Sequence, residues 1–267
     1  MQEKKIGFIG AGKMAESLIS CFIEKKLVAA NQIIAGCPGQ DRLNYLNKKY
    51  GISVTGENQT VVDSADMVIL AVKPHQLQMA LDNICGLEGK LIVSILAGIK
   101  IDKIEQITNS KIIRLMPNLC CQVNHSAGGY SINEKTTEED EKLFLHYFSE
   151  IGFFYKVEEE KLNIITAISG SGPAFFAFFI DEFVKAGVKN GLPQDIALSL
   201  ALNTCFGTAK YLTNTKTEPS TLIEKISTHG GTTEAGFDVI KESCIGEDIF
   251  RFIMASKKRA EEIGNYE

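Results

Sequence analysis

The chain has 267 residues, somewhat fewer than two domains of about 150 residues each. With 45% hydrophobic and 23% charged residues it can bury a sizeable core, which excludes a disordered tail or a disulfide scaffold. The 28 Lys and Arg against 33 Asp and Glu leave a net charge of -5; without Trp or a basic block the sequence does not suit nucleic acid, although a local site can still attract a small anion.

The first two-thirds alternates short apolar runs with helical repeats. Residues 5–9 read as a buried strand, and 16–25 places Leu18, Ile19, Phe22 and Ile23 at helical spacing. Strands are predicted at 32–35 and 53–55, with helices at 41–50, ended by Gly51, and at 60–64. The apolar run 66–72 has the composition of a strand covered on both faces. A helix at 77–84 and strands at 91–95 and 112–115 continue a β-α alternation that predicts a parallel, doubly wound sheet. A strand at 129–132 follows. Thr137 and Asp140 form a capping-box pattern for a helix reaching about residue 150, and 153–157 is the last strand.

From residue 162 the strand signals stop. Helices are predicted at 173–190, ended by Gly191, then from Pro193 as a first-turn proline to about residue 213, and at 222–226, 232–243 and 248–263. Two of them are oily around the whole circumference, through Phe175, Phe176, Ala177, Phe178, Phe179 and Ile180, and through Ile196, Ala197, Leu198, Leu200, Ala201 and Leu202. A helix apolar all round must be buried all round, and about a hundred residues have difficulty burying two of them alone, so an interlocked homodimer is expected. The stretch 164–180 is the most apolar, but Ser169, Gly170, Ser171, Gly172 and Pro173 interrupt it, and no membrane span is expected. Seven cysteines, an odd number without a C-x-x-C pair, and the lack of a signal-peptide pattern read as reduced thiols in a cytoplasm; no His/Cys cluster has metal-ligand spacing.

The chemistry begins at Gly10-Ala11-Gly12-Lys13-Met14-Ala15, a G-x-G-x-x-A pattern between a strand and a helix. Gly10 permits the tight turn, Gly12 admits a pyrophosphate to the backbone, and Ala15 allows close helix-sheet packing. The chain is thus α/β, with a Rossmann-type dinucleotide-binding domain over 1–161 and an all-helical dimerisation and substrate domain over 162–267. At the end of the second strand, Ala35-Gly36-Cys37-Pro38-Gly39 has no acid to hold a ribose 2′-OH, which favours NADP(H) and leaves NAD(H) open; Arg42 is the nearest arginine. Ala71-Val72-Lys73-Pro74 and Met116-Pro117-Asn118 close later strands, where ligands lie in open α/β sheets. Asn118 could bond a nicotinamide carboxamide or simply complete a turn. Thr228-His229-Gly230-Gly231-Thr232-Thr233 precedes a helix and offers either an N-cap or a nest of N–H groups for a carboxylate. Ser169-Gly170-Ser171-Gly172-Pro173 reads as a helix start or a substrate contact. No Ser or Cys nucleophile motif accompanies the four histidines, and hydride transfer needs none.

Gly7-Phe8-Ile9-Gly10-Ala11-Gly12, Ala71-Val72-Lys73-Pro74, Met116-Pro117-Asn118, Ser169-Gly170-Ser171-Gly172-Pro173-Ala174 and Gly230-Gly231-Thr232-Thr233 occur in this order. Together they resemble the pyrroline-5-carboxylate reductase family over essentially the whole chain. The resemblance implies NAD(P)H-dependent reduction of a cyclic imine to proline, a homodimer interlocked through the helical domain, and a decamer as the larger ring. It implies that Thr233 is catalytic, contacting the ring nitrogen, that the amides of Gly231, Thr232 and Thr233 hold the substrate carboxylate, and that Glu159 is a substrate-side acid. Gly7 to Met14, Cys37, Asn58, Ala71 to Pro74, Ala97, Gly98 and Asn118 would meet the cofactor. The chain departs from the family at Thr228-His229, where Ser-Pro is usual, at Leu119-Cys120, at Phe175 and at the second-strand end. A hydroxyacid dehydrogenase reading lacks its catalytic Lys after Gly170 and Gly172. A non-catalytic, cofactor-binding regulatory dimer is the other alternative.

Overall fold

The strands expected from the sequence are present with their ends moved by a few residues at most. The computed structural model describes residues 4–264. Its strands are β1 (Ile6–Ile9), β2 (Ile33–Gly36), β3 (Ser53–Thr55), β4 (Met67–Leu70), β5 (Leu91–Ser94), β6 (Lys111–Met116), β7 (Ser126–Ile132) and β8 (Gly152–Lys156). They form one sheet in the order β3-β2-β1-β4-β5-β6-β7-β8. Among the described residues every pairing is parallel except β6 with β7, which is antiparallel. The parallel order expected for the strands through β6 is present, and β7, whose direction the sequence left open, runs against it. The 117–125 connection is shorter than the dozen or so residues a parallel crossover requires, so the chain turns back on itself.

Helices α1 (Lys13–Glu24), α2 (Gln40–Tyr50), α3 (Asn58–Ser64), α4 (Leu77–Leu81), α5 (Ile101–Glu105) and α6 (Glu138–Phe148) cover the sheet. Side chains alternate along each strand, so one set joins each face. Ile6, Phe8, Met67, Ile69, Val93, Ile113 and Leu115 pack with Leu18 and Phe22 of α1 and Phe144 and Phe148 of α6. Ile9, Val68, Leu70, Ile92 and Ile112 pack on the other side with Val61 of α3, Leu81 of α4 and Ile104 of α5. The capping box of α6 forms as expected, Asp140 N–H donating to Thr137 Oγ1 while Asp140 Oδ2 accepts the Thr137 N–H.

The remaining helices are α7 (Leu162–Ile165), α8 (Gly172–Lys189), α9 (Gln194–Thr215), α10 (Pro219–Ile226), α11 (Thr232–Glu242) and α12 (Ile245–Gly264). Pro193 is the N-cap of α9; the expected first-turn position is corrected because its ψ of 141° is extended while its carbonyl accepts the Ala197 N–H. The chain divides into two compact units, one running to Ser171 and resuming at Ile253, the other Gly172–Phe252. This division falls later than the expected boundary at 161/162 and returns residues from 253 onward to the first unit. Leu162 and Ala167 are buried in that unit, with Ile165 and Leu162 lying against Gly129. The end of α12 lies so close to Gly98 that a Cβ there would fall 2.5 Å from the Ala260 carbonyl oxygen.

In the second unit α8 and α9 pack together across a turn in which Gly191 has φ +93°. The Phe252 ring packs tilted against that of Phe175, centroids 4.6 Å apart. Much of the apolar surface of these helices stays uncovered: Phe178 is 58% exposed, Phe183 71% and Leu200 55%. Within the Ser169–Pro173 interruption, Ser171 is a bend between the π-helical turn Thr166–Gly170 and the start of α8 at Gly172. The helical stretch Glu159–Lys189 is long and apolar enough to cross a membrane by length and composition, with a mean hydropathy of 1.5 over its best window. Core helices of globular proteins meet the same criterion, so it does not overturn the expectation of no membrane span.

Candidate functional site

The glycine loop between β1 and α1 separates two roles. Gly10 has φ +96°, and a Cβ there would lie 2.6 Å from the backbone of Ala71, so the close approach of β1 and β4 itself demands glycine. Gly12 caps α1 without a side-chain hydrogen bond, and a Cβ there would meet nothing within 4 Å. Open space therefore lies before the free amides of α1, as a pyrophosphate requires. Ala15 is fully buried behind them.

Arg42 of α2 steadies this loop. Its Nε donates to the Ala11 carbonyl at 2.6 Å, its Nη2 to that of Gly12 at 3.1 Å, and Nη2 pairs with Glu16 at 2.7 Å. Lys49, Tyr45 and Tyr50 also converge on the Glu16 carboxylate. Burial pushes that carboxyl up, but Lys49, Arg42 and the two phenols outweigh it and hold its pKa at about 2. The sequence reading noted Arg42 only as the nearest arginine. Its reach to the loop depends on the packing of α2 against α1, which spacing does not reveal.

The other expected cofactor residues cluster by position in the sheet. Cys37, Ala71 to Pro74, Ala97 to Gly98 and Asn118 follow the carboxyl ends of β2, β4, β5 and β6, and Asn58 opens α3. Gly7, Phe8 and Ile9 lie inside β1, fully buried, where a Cβ on Gly7 would strike Val61 and Ala65; they hold the loop from behind. Asn58 donates to the Ala80 carbonyl at 2.9 Å, and Gly98 has φ +80°. Asn118 caps the turn Leu119–Val123: Oδ1 accepts the Cys120 N–H and Nδ2 donates to the Ser169 carbonyl, each at 3.0 Å. Ser169 lies in a π-helical turn, Thr166–Gly170, closed by Ser171 N–H on the Thr166 carbonyl. α8 starts at Gly172, inside the Ser169–Pro173 motif, so the helix-start reading holds there, while Ser169 itself belongs to the π-helical turn.

Glu159 is held inside the first unit. Its Oε1 accepts from Arg114 Nη1 and from the Ile101 N–H, both at 2.8 Å. Arg114 lies on β6, is 1% exposed, and leaves Nε without a partner. A charged residue in an otherwise apolar strand was the signal for such a pair.

In the second unit, Gly230 (φ +70°) and Gly231 lead into α11. The Gly231 N–H donates to the Thr228 carbonyl at 2.9 Å, and a Cβ on Gly231 would fall 2.6 Å from Thr228 Oγ1. Of the three amides expected to face a carboxylate, that of Gly231 is therefore occupied within the loop. Thr232 and Thr233, the first two residues of α11, keep amides that no helical carbonyl reaches. The two threonine amides and the Thr233 hydroxyl can together hold an anionic group and offer a hydrogen bond beside it.

A family model described as pyrroline-5-carboxylate reductase dimerisation matches residues 159–263, and one described as NADP oxidoreductase, coenzyme F420-dependent, matches residues 5–98. The pyrroline-5-carboxylate reductase of Synechocystis sp. is 34% identical over 262 residues, covering 97% of this chain and 98% of that protein. That of Methanosarcina acetivorans is 33% identical, with 99% of both chains covered. The solved structure of Plasmodium falciparum pyrroline carboxylate reductase with NADP bound has a TM-score of 0.91 at 27% identity, covering 99% of this chain and 100% of that one.

Proposed function

The chain belongs to the pyrroline-5-carboxylate reductase family, and we infer that it reduces the cyclic imine 1-pyrroline-5-carboxylate to L-proline with NADP(H) as cofactor. The observation that carries the reading in this chain's own residues is the free space at Gly12 before the amides of α1, a cradle for a dinucleotide pyrophosphate. NADPH, when bound, supplies the hydride. Ala11 to Met14 hold the pyrophosphate through backbone N–H groups, while the Gly10 N–H is spent on the Gly36 carbonyl, so a chain of net charge -5 binds an anionic cofactor with few basic side chains. Cys37, Asn58, Ala71 to Pro74, Ala97, Gly98 and Asn118 line the same sheet edge; Asn118 does so as the cap that fixes its turn.

The amides of Thr232 and Thr233 hold the substrate carboxylate, which orients the ring. The Thr233 hydroxyl donates to the ring nitrogen, and solvent is the ultimate proton source. Gly231 serves by shape, keeping the turn tight. Glu159 is assigned to the substrate side by resemblance alone, and its pairing with Arg114 fixes where it stands. The uncovered faces of α8 and α9 are the surface through which the chain self-associates, as a homodimer and, in the larger assembly, a decamer. Burial there, without a membrane, and a cytoplasmic location complete the reading.

Steady-state NADPH oxidation with 1-pyrroline-5-carboxylate tests it, alongside the same assay with NADH. Turnover is expected, faster with NADPH, and Thr233→Ala is expected to lower kcat/KM by about a hundredfold. NADPH binding without turnover would overturn the enzymatic reading, and full kcat/KM in Thr233→Ala would overturn the assignment of the hydroxyl.

A further inference from the structure

The loop before α11 holds a His–Glu pair that the reading above does not use. Glu234, the third residue of α11, turns its carboxylate back over the helix start. Its Oε2 accepts the Gly230 N–H at 2.7 Å, and its Oε1 lies 3.4 Å from Nδ1 of His229. The protein's own carboxylate thus occupies one amide of the loop whose next free amides, at Thr232 and Thr233, are assigned to the carboxylate of the substrate. Two carboxylates in one loop repel each other, and a helix N-terminus offsets only about half an elementary charge. His229 stands where the family usually has proline, and its side chain is 100% exposed. Its imidazole is the group beside Glu234 that becomes positive on taking up a proton. On the preceding helix, Lys225 turns to the Tyr211 hydroxyl at 3.3 Å. Further along α11, Lys241 pairs with Asp238 at 3.2 Å. Among the described residues no other charged group pairs with His229 or Glu234.

We propose that Glu234 is a built-in rival of the substrate carboxylate and that His229, when protonated, relieves the rivalry, so that the pair tunes affinity for the anionic substrate. The proposal rests on the assignment of the Thr232 and Thr233 amides to that carboxylate. With His229 neutral, the Glu234 charge is uncompensated and weakens binding. With His229 protonated, the two charges cancel and binding tightens.

Competitive inhibition by L-proline at saturating NADPH reads this directly, because the inhibitor carries the same carboxylate and keeps one charge state between about pH 6 and pH 8. For the wild type, Ki is expected to rise about two- to fivefold from the lower to the higher pH, the range of an exposed charge pair. His229→Gln cannot gain a proton, so its Ki stays at the weaker value across the range. Glu234→Gln keeps an oxygen for the Gly230 N–H while losing the charge, so its Ki at the higher pH falls to about the wild type's lower-pH value and tightens further as His229 gains a proton. A flat wild-type profile overturns the proposal, as does a pH dependence that survives in His229→Gln. Thr232→Pro tests the underlying assignment separately, because proline suits the first helical position and deletes one amide. Its Ki should rise at every pH; an unchanged Ki would reject the carboxylate assignment itself, whatever His229 and Glu234 do.

Discussion

The two units of the chain solve the burial problem differently. In the first, each strand sends alternate side chains to opposite faces, and helices of the same unit cover both faces along β1, β4, β5 and β6. Phe22, Phe144 and Phe148 are fully buried there, with Phe144 and Phe148 stacked at 4.7 Å. In the second, comparable aromatic side chains on α8 and α9 remain exposed, and Ala197 is the one buried residue along the described length of α9. The first unit completes its core by folding. The second presents a core that only association can complete, because helices this apolar gain their burial energy from a partner surface.

Substitution of one aromatic in each unit sharpens the contrast most. Phe183→Glu puts a charge on the uncovered face and is expected to abolish self-association, read as the mass in sedimentation equilibrium, while NADPH affinity stays within a few-fold. Phe22→Ala should do the reverse: assembly is retained in the folded fraction, and unfolding in urea shows a loss of about 3–5 kcal/mol from the cavity left behind. A Phe183→Glu chain with unchanged mass would mean that the exposed face is not the contact.

Within the first unit, the two loop glycines should separate stability from binding. Gly10→Ala collides with Ala71 in a left-handed conformation and is expected to lower Tm sharply. Gly12→Ala meets no protein atom, so Tm should hold while the NADPH Kd rises about tenfold where the methyl group invades the pyrophosphate cradle. Equal loss of Tm in both would erase the distinction.

The smallest effect is at Glu16. Because its folded pKa is depressed, its contribution is present above the usual value of 4.5 and is lost as pH falls toward about 2. Glu16→Gln should therefore cost about 1 kcal/mol or less at neutral pH, since its partners are partly exposed and screened. The difference in Tm should shrink as the solution is acidified through that window. A difference that stays constant down to the lowest pH would place the effect in packing.

Much of this was legible because the first unit obeys simple periodicities. The Gly10–Ala15 pattern, the Thr137 capping box and the oily circumference of α8 and α9 each state a local physical requirement. Strand direction does not enter side-chain alternation, so the reversal at β7 was invisible, and the small residues at its start, Ser126, Ala127 and Gly128, carry no apolar signal. The five-residue α5 is too short to display a helical repeat. At the site, the difference between an available and an occupied amide at Gly231 lies in a backbone hydrogen bond to Thr228, which no residue type encodes. The partners of Glu159 and Arg42 are set by tertiary packing, although Arg114 inside an apolar strand already signalled that a buried charge needed one.

The central claim is that this chain delivers a hydride to the imine carbon of 1-pyrroline-5-carboxylate. Turnover with NADPH carrying deuterium at the transferable C4 position, followed by mass and NMR analysis of the product, tests it most directly. The account predicts L-proline with one deuterium, located at C5. Unlabelled proline, or NADPH bound without any proline formed, would contradict it.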